Sequence, residues 1–465
     1  AALQGNIDLG HQRGHKRRPK MKKLLLLSLS LFACIAQAAK QPNIVFFFAD
    51  DQTSSSLACY GHPLAKTPNI DRLAAEGQRW TSFYASGAVC VPSRTGLMSG
   101  RHPALFSGRQ ELAKTRDKLM ATMLKKKGYA TAILGKWHLA GYPKDFTKSP
   151  MHPLECGFDY HFGTPGSNDV PAPSGKRQTR SLFDACDKFT FKVPLIRGRK
   201  LIEVLTDQEL LTKRYTQEAV KWISANKGNP FFLYLAHNMP HAPVFASEAF
   251  QGKSKGGHYG DTIEEIDWSV GQVMKAIKDA KVDEKTLIVF TSDNGPWSMF
   301  GPHGGTAKPL RGEKGTSWEG GYRVPGIIRW PGKIKPGTVD GLAANLDLYS
   351  TFATLTGGEE SKGLQGFISK DISGVLLRGA ASPRKKWFYS SGSIAFRSGN
   401  YKIHLSSKKR SSNPDTRARE PITKHDPPLL YDLSTDVGEN KNIAADHPEV
   451  TARLLKEMDR FRQGR

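Results

Sequence analysis

The chain has 465 residues, 38% hydrophobic and 24% charged, which is long enough to bury a large core and too apolar for a disordered polymer. Lys and Arg number 68 against 43 Asp and Glu, a formal charge of +25 that favours anionic partners. No apolar run reaches the roughly 20 residues of a spanning helix, so no integral membrane segment is expected.

"MKKLLLLSLSLFACIAQAAK" (21–40) places two lysines after Met21, then an apolar run, then Ala-Gln-Ala before Ala39. These are the three parts of a secretory signal, so residues 21–38 are expected to be a cleaved leader and the protein to be exported, periplasmic or extracellular. Residues 1–20 carry no initiator Met and read as upstream sequence. "LFAC" (31–34) also resembles a lipoprotein cleavage box that would anchor Cys34, although bulky Phe32 stands where a small residue is preferred. Beyond the leader lie Cys59, Cys90, Cys156 and Cys186, of which Cys156 and Cys186 are the best candidate disulfide pair in an oxidising compartment. An exported chain without a recognisable binding module is not expected to bind nucleic acid.

Four apolar runs end in reactive groups. "NIVFFFADD" (43–51) ends in Asp50 and Asp51, and "YATAILGKWHL" (129–139) ends in Lys136 and His138. "PFFLYLAHNMPH" (230–241) ends in His237 and His241, and "TLIVFTSDNG" (286–295) in Asp293 and Asn294. Runs without polar alternation suit parallel strands buried on both faces. The stretches "TPNIDRLAAEGQRW", "DKLMATMLKKKGY", "YTQEAVKWISANKG" and "TIEEIDWSVGQVMKAIKDAK" carry helical spacing, which predicts an α/β layered fold with crossover helices. One Asp after a strand is more often a solvated loop or a helix cap. Four such endings on one sheet edge, where α/β folds bind ligands, point to a site. Asp50, Asp51, Asp293 and Asn294 form an all-oxygen set suited to Ca²⁺, or less well Mg²⁺. Without a cation, adjacent buried carboxylates would repel one another.

"CVPSRTGLMSGR" (90–101) reads as a helix start, with Pro92 in the first turn and Cys90 facing free N–H groups. That position predicts a lowered thiol pKa. A soft thiolate beside a hard cation nevertheless makes poor coordination sense, whereas an oxygen nucleophile fits. Downstream, "GEKGTSWEGGYRVPGIIRWPG" (312–332) is glycine-rich around Lys314. Alone it reads as a surface loop; with Arg94, Lys136, His138 and His241 it adds a cation to an anion site.

C-x-P-S-R followed by "TGLMSGR" resembles the signature of the type I, formylglycine-dependent sulfatases. "GKWHL", "MPHAP", "FTSDNG", "GNYKIHL" and "HDPPLLYDLSTDVGEN" are similar to the arylsulfatase A and N-acetylgalactosamine-6-sulfatase branch. The resemblance implies an alkaline-phosphatase-like sandwich with a central, mostly parallel sheet. It also implies a smaller C-terminal α+β subdomain, with an antiparallel sheet and a final helix at 447–462. Residues 39–350 are then the catalytic domain and 351–465 the C-terminal subdomain.

The resemblance further implies that Cys90 is oxidised to formylglycine, by a formylglycine-generating enzyme or an anaerobic sulfatase-maturing enzyme, and hydrated to a diol. Asp50, Asp51, Asp293 and Asn294 would hold Ca²⁺, and Asp293 would accept the nucleophile's proton. Arg94, Lys136 and Lys314 would neutralise sulfate oxygens. His241, aided by Lys314, would assist the leaving alcohol, and His138 would take the last proton. Ser167 in "TPGSND" and His404 in "YKIHL" match positions near the substrate, although "YKIHL" reads equally well as an ordinary strand. The implied substrate is a sulfated glycan, with specificity residing in segments 142–200 and 385–425. Two other readings are a phosphatase or phosphodiesterase of the same fold, and a non-catalytic binder of sulfated glycan. The first would more often need histidine where Asn294 stands, and the second would leave Cys90 unconverted.

Overall fold

In the computed structural model the four apolar runs become β1 (Asn43–Ala49), β3 (Ala130–Gly135), β7 (Phe231–Ala236) and β8 (Thr286–Ser292). The structure describes residues 41–170, 179–358, 368–390, 392–408 and 421–463. The expected leader with Cys34, residues 1–20 and nearly all of the polar stretch 408–420 lie outside the described residues.

The four strands lie side by side in the order β8-β1-β7-β3, each parallel to its neighbours. β2 (Gln78–Tyr84), β9 (Gly326–Arg329) and β10 (Gly337–Ala344) extend the sheet beyond β8, with β9 antiparallel to both β8 and β2. β4 (Tyr160–Gly163), β5 (Leu195–Arg197) and β6 (Lys200–Glu203) extend it beyond β3, giving ten strands.

Alternate residues of β1 feed opposite cores. Phe46 and Phe48 join a cluster with Leu97, Met120, Phe352 and Tyr234, beneath α2 (Cys90–Ser99), α3 (Met120–Lys126) and α6 (Asp347–Leu355). Val45 and Phe47 face Ile70, Tyr215 and Ile266, from α1 (Pro68–Ala75), α4 (Leu211–Asn226) and α5 (Gly257–Asp279). Each such side chain contributes about 1.5–3 kcal/mol by leaving water, which is why the runs show no polar alternation.

The segment 67–80, expected to be wholly helical, divides in two: α1 stops at Ala75 and the chain enters β2 at Gln78. Cross-strand pairing of Gln78–Trp80 with β9 overrides the local pattern there.

A second sheet of β11 (Lys386–Ser390), β12 (Ile394–Ser398), β13 (Tyr401–Lys408) and β14 (Ile422–Asp432) is wholly antiparallel. Phe388, Phe396 and Ile403 on one face pack on Leu454 and Met458 of α7 (Pro448–Gln463). Trp387, Tyr389 and Ala395 on the other pack on Tyr84, Tyr322 and Leu346. Apolar contact on both faces makes the sheet an integral layer of the unit Pro42–Arg465.

The expected Cys156–Cys186 bridge is absent. Both thiols are free, Cys156 in the core beneath the main sheet and Cys186 in a separate cluster with Phe183 and Phe300. Apolar packing buries them apart. No helix among the described residues is long and apolar enough to cross a membrane.

Candidate active site

Strand register decides where the ionisable groups go. Ala49 pairs with Ser292 on β8 and Phe48 with Ala236 on β7, while Ala236 pairs with Gly135 on β3. The residues that follow leave the sheet together at its carboxyl edge. Gly135 turns the chain with a φ of 106°, and a Cβ there would run into the Ala236 carbonyl. That close approach lets Lys136 N donate to Ala236 O at 2.7 Å and aims the lysine across the edge.

α2 presents Cys90 as its first residue and Arg94 one turn later, both buried. Cys90 Sγ lies 3.2 Å from Asp50 Oδ1 and 3.9 Å from Asp51 Oδ1. Arg94 donates to Asp293 and lies 3.6 Å from Asp50. Lys136 Nζ pairs with Asp50 Oδ2 and donates to Ser167 Oγ at 3.3 Å. Lys314 Nζ lies 2.7 Å from Asp51, and Asn294 Nδ2 donates to Asp51 Oδ1 at 2.7 Å. Asp51 N donates to Asp293 Oδ1 at 3.1 Å. Asp51 and His138 hold φ values of 64° and 63°, a left-handed conformation that non-glycine residues keep where surroundings enforce it.

A crevice of about 290 Å³ opens over Cys90, walled by His138, Tyr142, Ser167, Asp169, His241 and Lys314. His241 Nδ1 lies 2.7 Å from Ala242 O and so carries a proton, which leaves Nε2 facing Ser167 Oγ at 3.2 Å and Asp51 at 3.7 Å. His138 Nε2 lies 3.0 Å from Tyr142 OH, which also accepts from Ser167 N at 3.2 Å.

Burial pushes the carboxylates up and the neighbouring cations pull them down. For Asp50, Lys136, His241 and Arg94 together outweigh burial and hold it well below the usual range. For Asp293, burial and the charge of Asp50 win and push it up to about 7. His138 is held well below its ordinary value by burial and then by Lys136, and His241 is lowered by burial and then by Lys314.

The expectation of an acidic thiol fails: burial, and then Asp293 and Asp50, push Cys90 well above its ordinary value. Burial and the charges of these two carboxylates outweigh the helix N-terminus.

The oxygen set fits a hard dication. Asp50, Asp51, Cys90 and Asp293 offer atoms within 4.8 Å of one another. Asn294 Oδ1 is buried without a hydrogen-bond partner, an oxygen that protein groups leave unused.

Of the predicted site residues, Asp50, Asp51, Cys90, Arg94, Lys136, His138, Ser167, His241, Asp293, Asn294 and Lys314 converge here. His404 does not line the crevice; it is fully buried, its Nε2 2.7 Å from Glu439 Oε1 and its ring 4.2 Å from that of Trp318. His237 points into the core, 3.5 Å from Ser269 Oγ on α5. Sequence reasoning missed Tyr142, Asp169 and Trp297, whose ring packs at a tilt with its centre 5.1 Å from that of His241 and lies under Lys314 Nζ at 4.3 Å. Trp297 follows the "SDNG" turn and Asp169 follows Ser167, so both stood beside flagged residues; Tyr142 has no comparable signal.

Fold and site together define an α/β hydrolytic enzyme of alkaline-phosphatase-like architecture, with a cationic crevice for an anionic ester. The chain belongs to the sulfatase family: the Sulfatase family model matches residues 42–358, and the C-terminal region of aryl-sulfatase matches 382–464. It is 37% identical to arylsulfatase A of Bos taurus, over 94% of this chain and 90% of that one. It is 34% identical to N-acetylgalactosamine-6-sulfatase of Sus scrofa, over 93% of this chain and 87% of that one. Among solved structures, the PsFucS1 sulfatase from Pseudoalteromonas sp. superposes with a TM-score of 0.79 at 27% identity, covering 96% of this chain and 95% of that one. A Bacteroides thetaiotaomicron protein solved in work on the metabolism of multiple glycosaminoglycans gives 0.77 at 29%, covering 91% and 100%. The protein is a sulfatase, an enzyme that hydrolyses sulfate esters.

Proposed function

We propose that this sulfatase removes sulfate from a sulfated carbohydrate, outside the cytoplasm, after maturation of Cys90 to formylglycine and with one Ca²⁺ at its carboxylates. The observation that carries this reading is the placement of Cys90 Sγ 3.2 Å from Asp50 Oδ1, beneath Lys314 and His241 in the crevice. A thiol among oxygen ligands of a hard cation is mismatched, and an oxygen at residue 90, supplied by a maturation enzyme of the host, removes the mismatch. Asp50, Asp51, Asp293 and Asn294 are the residues that would hold the ion, and Ca²⁺ suits their flexible oxygen set better than Mg²⁺. A bound dication draws charge from a sulfate oxygen and favours the deprotonated form of a neighbouring oxygen nucleophile.

The chain's own groups divide the remaining work. Arg94, Lys136 and Lys314, all buried, compensate the sulfate charge, and each such donor is worth about 3–4 kcal/mol in the transition state. Asp293, its side chain beside Asp50 and Arg94, accepts the nucleophile's proton. His241 presents Nε2 to the leaving oxygen and, aided by Lys314 on the same crevice wall, assists departure of the alcohol. His138, kept neutral by burial and Lys136, accepts the proton whose loss lets sulfate depart. Ser167 Oγ, between Lys136 Nζ and His241 Nε2, orients the ester. The overall basic charge suits a polyanionic glycan.

The test is sulfate release from defined sulfated mono- and disaccharides, combined with mass spectrometry of the residue-90 peptide from a maturation-competent host. Release accompanied by formylglycine supports the reading. An intact thiol in an active enzyme, or a converted enzyme inert on every sulfated sugar, rejects it.

A further inference from the structure

The motifs "YKIHL" (401–405) and "LLYDLSTDVGEN" (429–440) place no residue in the crevice, yet they converge on one fully buried carboxylate, Glu439. Glu439 holds a φ of 52°, one of four non-glycine residues with positive φ among those described; two of the others are Asp51 and His138. Its Oε1 accepts from Lys402 Nζ at 3.0 Å and His404 Nε2 at 2.7 Å. Its Oε2 accepts from Glu319 N at 2.7 Å, and its main-chain oxygen from Arg311 Nη1 at 2.8 Å.

Arg311 and Glu319 flank the segment that carries Lys314. The segment closes on itself: Gly320 N donates to Arg311 O at 2.7 Å, and the Arg311 guanidinium stacks 3.7 Å from the centre of Trp318. Its middle docks on the active site, with Lys314 N on Pro296 O at 3.0 Å and Gly315 N on Ala88 O at 2.8 Å. Beyond it, the Glu319 carboxylate receives Lys402 Nζ at 2.9 Å and Tyr389 OH at 2.8 Å, both from the C-terminal sheet. If packing alone mattered, an apolar side chain would serve as well as this buried carboxylate. A strained backbone with all its acceptors used at the two ends of one loop indicates a positional task.

Building on the sulfatase reading, we propose that Glu439 is a positioning residue that clamps both ends of the 311–319 loop and so sets Lys314 against Asp51 and the bound ester. His404 and Lys402 hold Glu439 in place, and the C-terminal sheet thereby takes part in catalysis without touching substrate. A catalytic group misplaced by about 1 Å loses on the order of 100-fold in rate, so the clamp is expected to act on kcat.

The experiment compares wild type, Glu439→Ala, Lys314→Met and the double variant, following hydrolysis of an aryl sulfate and inhibition by inorganic sulfate. Glu439→Ala is expected to lower kcat by about tenfold or more and to weaken sulfate inhibition. The double variant is expected to be no slower than Lys314→Met alone, because the clamp works through that lysine. Multiplied losses in the double variant, as for independent sites, would overturn the proposal, and so would an unchanged kcat in Glu439→Ala. Should Glu439→Ala fail to fold, Arg311→Met, an exposed position that ties the same loop to Glu439, takes its place in the cycle with the same two outcomes. A wild-type enzyme inert on every sulfate ester would sink the sulfatase reading; an active wild type with multiplied losses sinks the clamp alone.

Discussion

Arg94 grips one oxygen of Asp293 with two nitrogens: Nε at 3.1 Å and Nη2 at 2.9 Å both donate to Oδ2, while Nη1 donates to Lys136 O at 3.1 Å. The guanidinium thus ties α2 to the ends of β8 and β3 at once. Lysine has no planar fork with which to make these three contacts. Arg94→Lys is therefore expected to lower kcat/KM by about 100-fold or more, as steady-state kinetics on an aryl sulfate will show.

Asn294 Oδ1 is a buried acceptor without a hydrogen-bond partner, and a cation would satisfy it. Added Ca²⁺ should raise the thermal midpoint of the wild type, because an ion at 100 times its Kd stabilises by about 2.7 kcal/mol. Asn294→Ala should need far more Ca²⁺ for the same rise. A wild-type midpoint indifferent to both Ca²⁺ and chelator would contradict the metal site.

Cys90 Sγ contacts Asp50 and Asp51, which keep their lysine and asparagine partners without it. Cys90→Ala is thus expected to fold with a circular-dichroism spectrum like that of the parent and to lose all measurable turnover. Substantial residual activity would remove residue 90 from the role of nucleophile.

Tyr142 OH joins His138 Nε2 to the backbone of Ser167, so it orients the histidine proposed to take the final proton. Losing one neutral hydrogen bond costs about 1 kcal/mol. Tyr142→Phe should reduce kcat by roughly fivefold, with little change in thermal midpoint because the ring is half exposed.

His237 is fully buried, and burial pushes its imidazole down to about 3 from an ordinary value of 6.5. Between those values the unfolded chain takes up a proton that the folded protein refuses. Stability from this group is therefore complete above pH 6.5 and falls as the solution is acidified, by about 1.4 kcal/mol per pH unit. Glu265, pushed up to about 7 by burial, has the opposite slope, so the comparison must be made between proteins. His237→Asn should show a shallower loss of stability between pH 6 and 4 than the wild type, measured by denaturant unfolding.

The legible parts of this protein and the hidden ones differ by how far apart the partners lie in the chain. β1, β3, β7 and β8 were readable because strands covered on both faces must be continuously apolar, and Asp50, Lys136, His241 and Asp293 were readable because they follow such runs. β2 was hidden because "QRWTSFY" gains its strand character from β9 and β10, on either side of it in the sheet. The thiol of Cys90 was misjudged because helix position is a local property, whereas the burial that raises it, and then the carboxylates of Asp293 and Asp50, come from other strands. Tyr142 and Glu439 act through contacts across loops that no periodicity announces.

By itself the amino-acid order determined the layered α/β class, the residues delivered to one sheet edge and the sulfatase-like motif at position 90, since these depend on local burial patterns and on a motif continuous in the chain. Only the tertiary structure decided that Lys314 meets Asp51 across 263 positions, that Cys156 and Cys186 stay apart, and that His404, on a strand of the second sheet, meets a buried glutamate beyond the last strand. Contacts of that kind are set by strand order and by the packing of one layer on another, neither of which leaves a spacing that the chain alone displays.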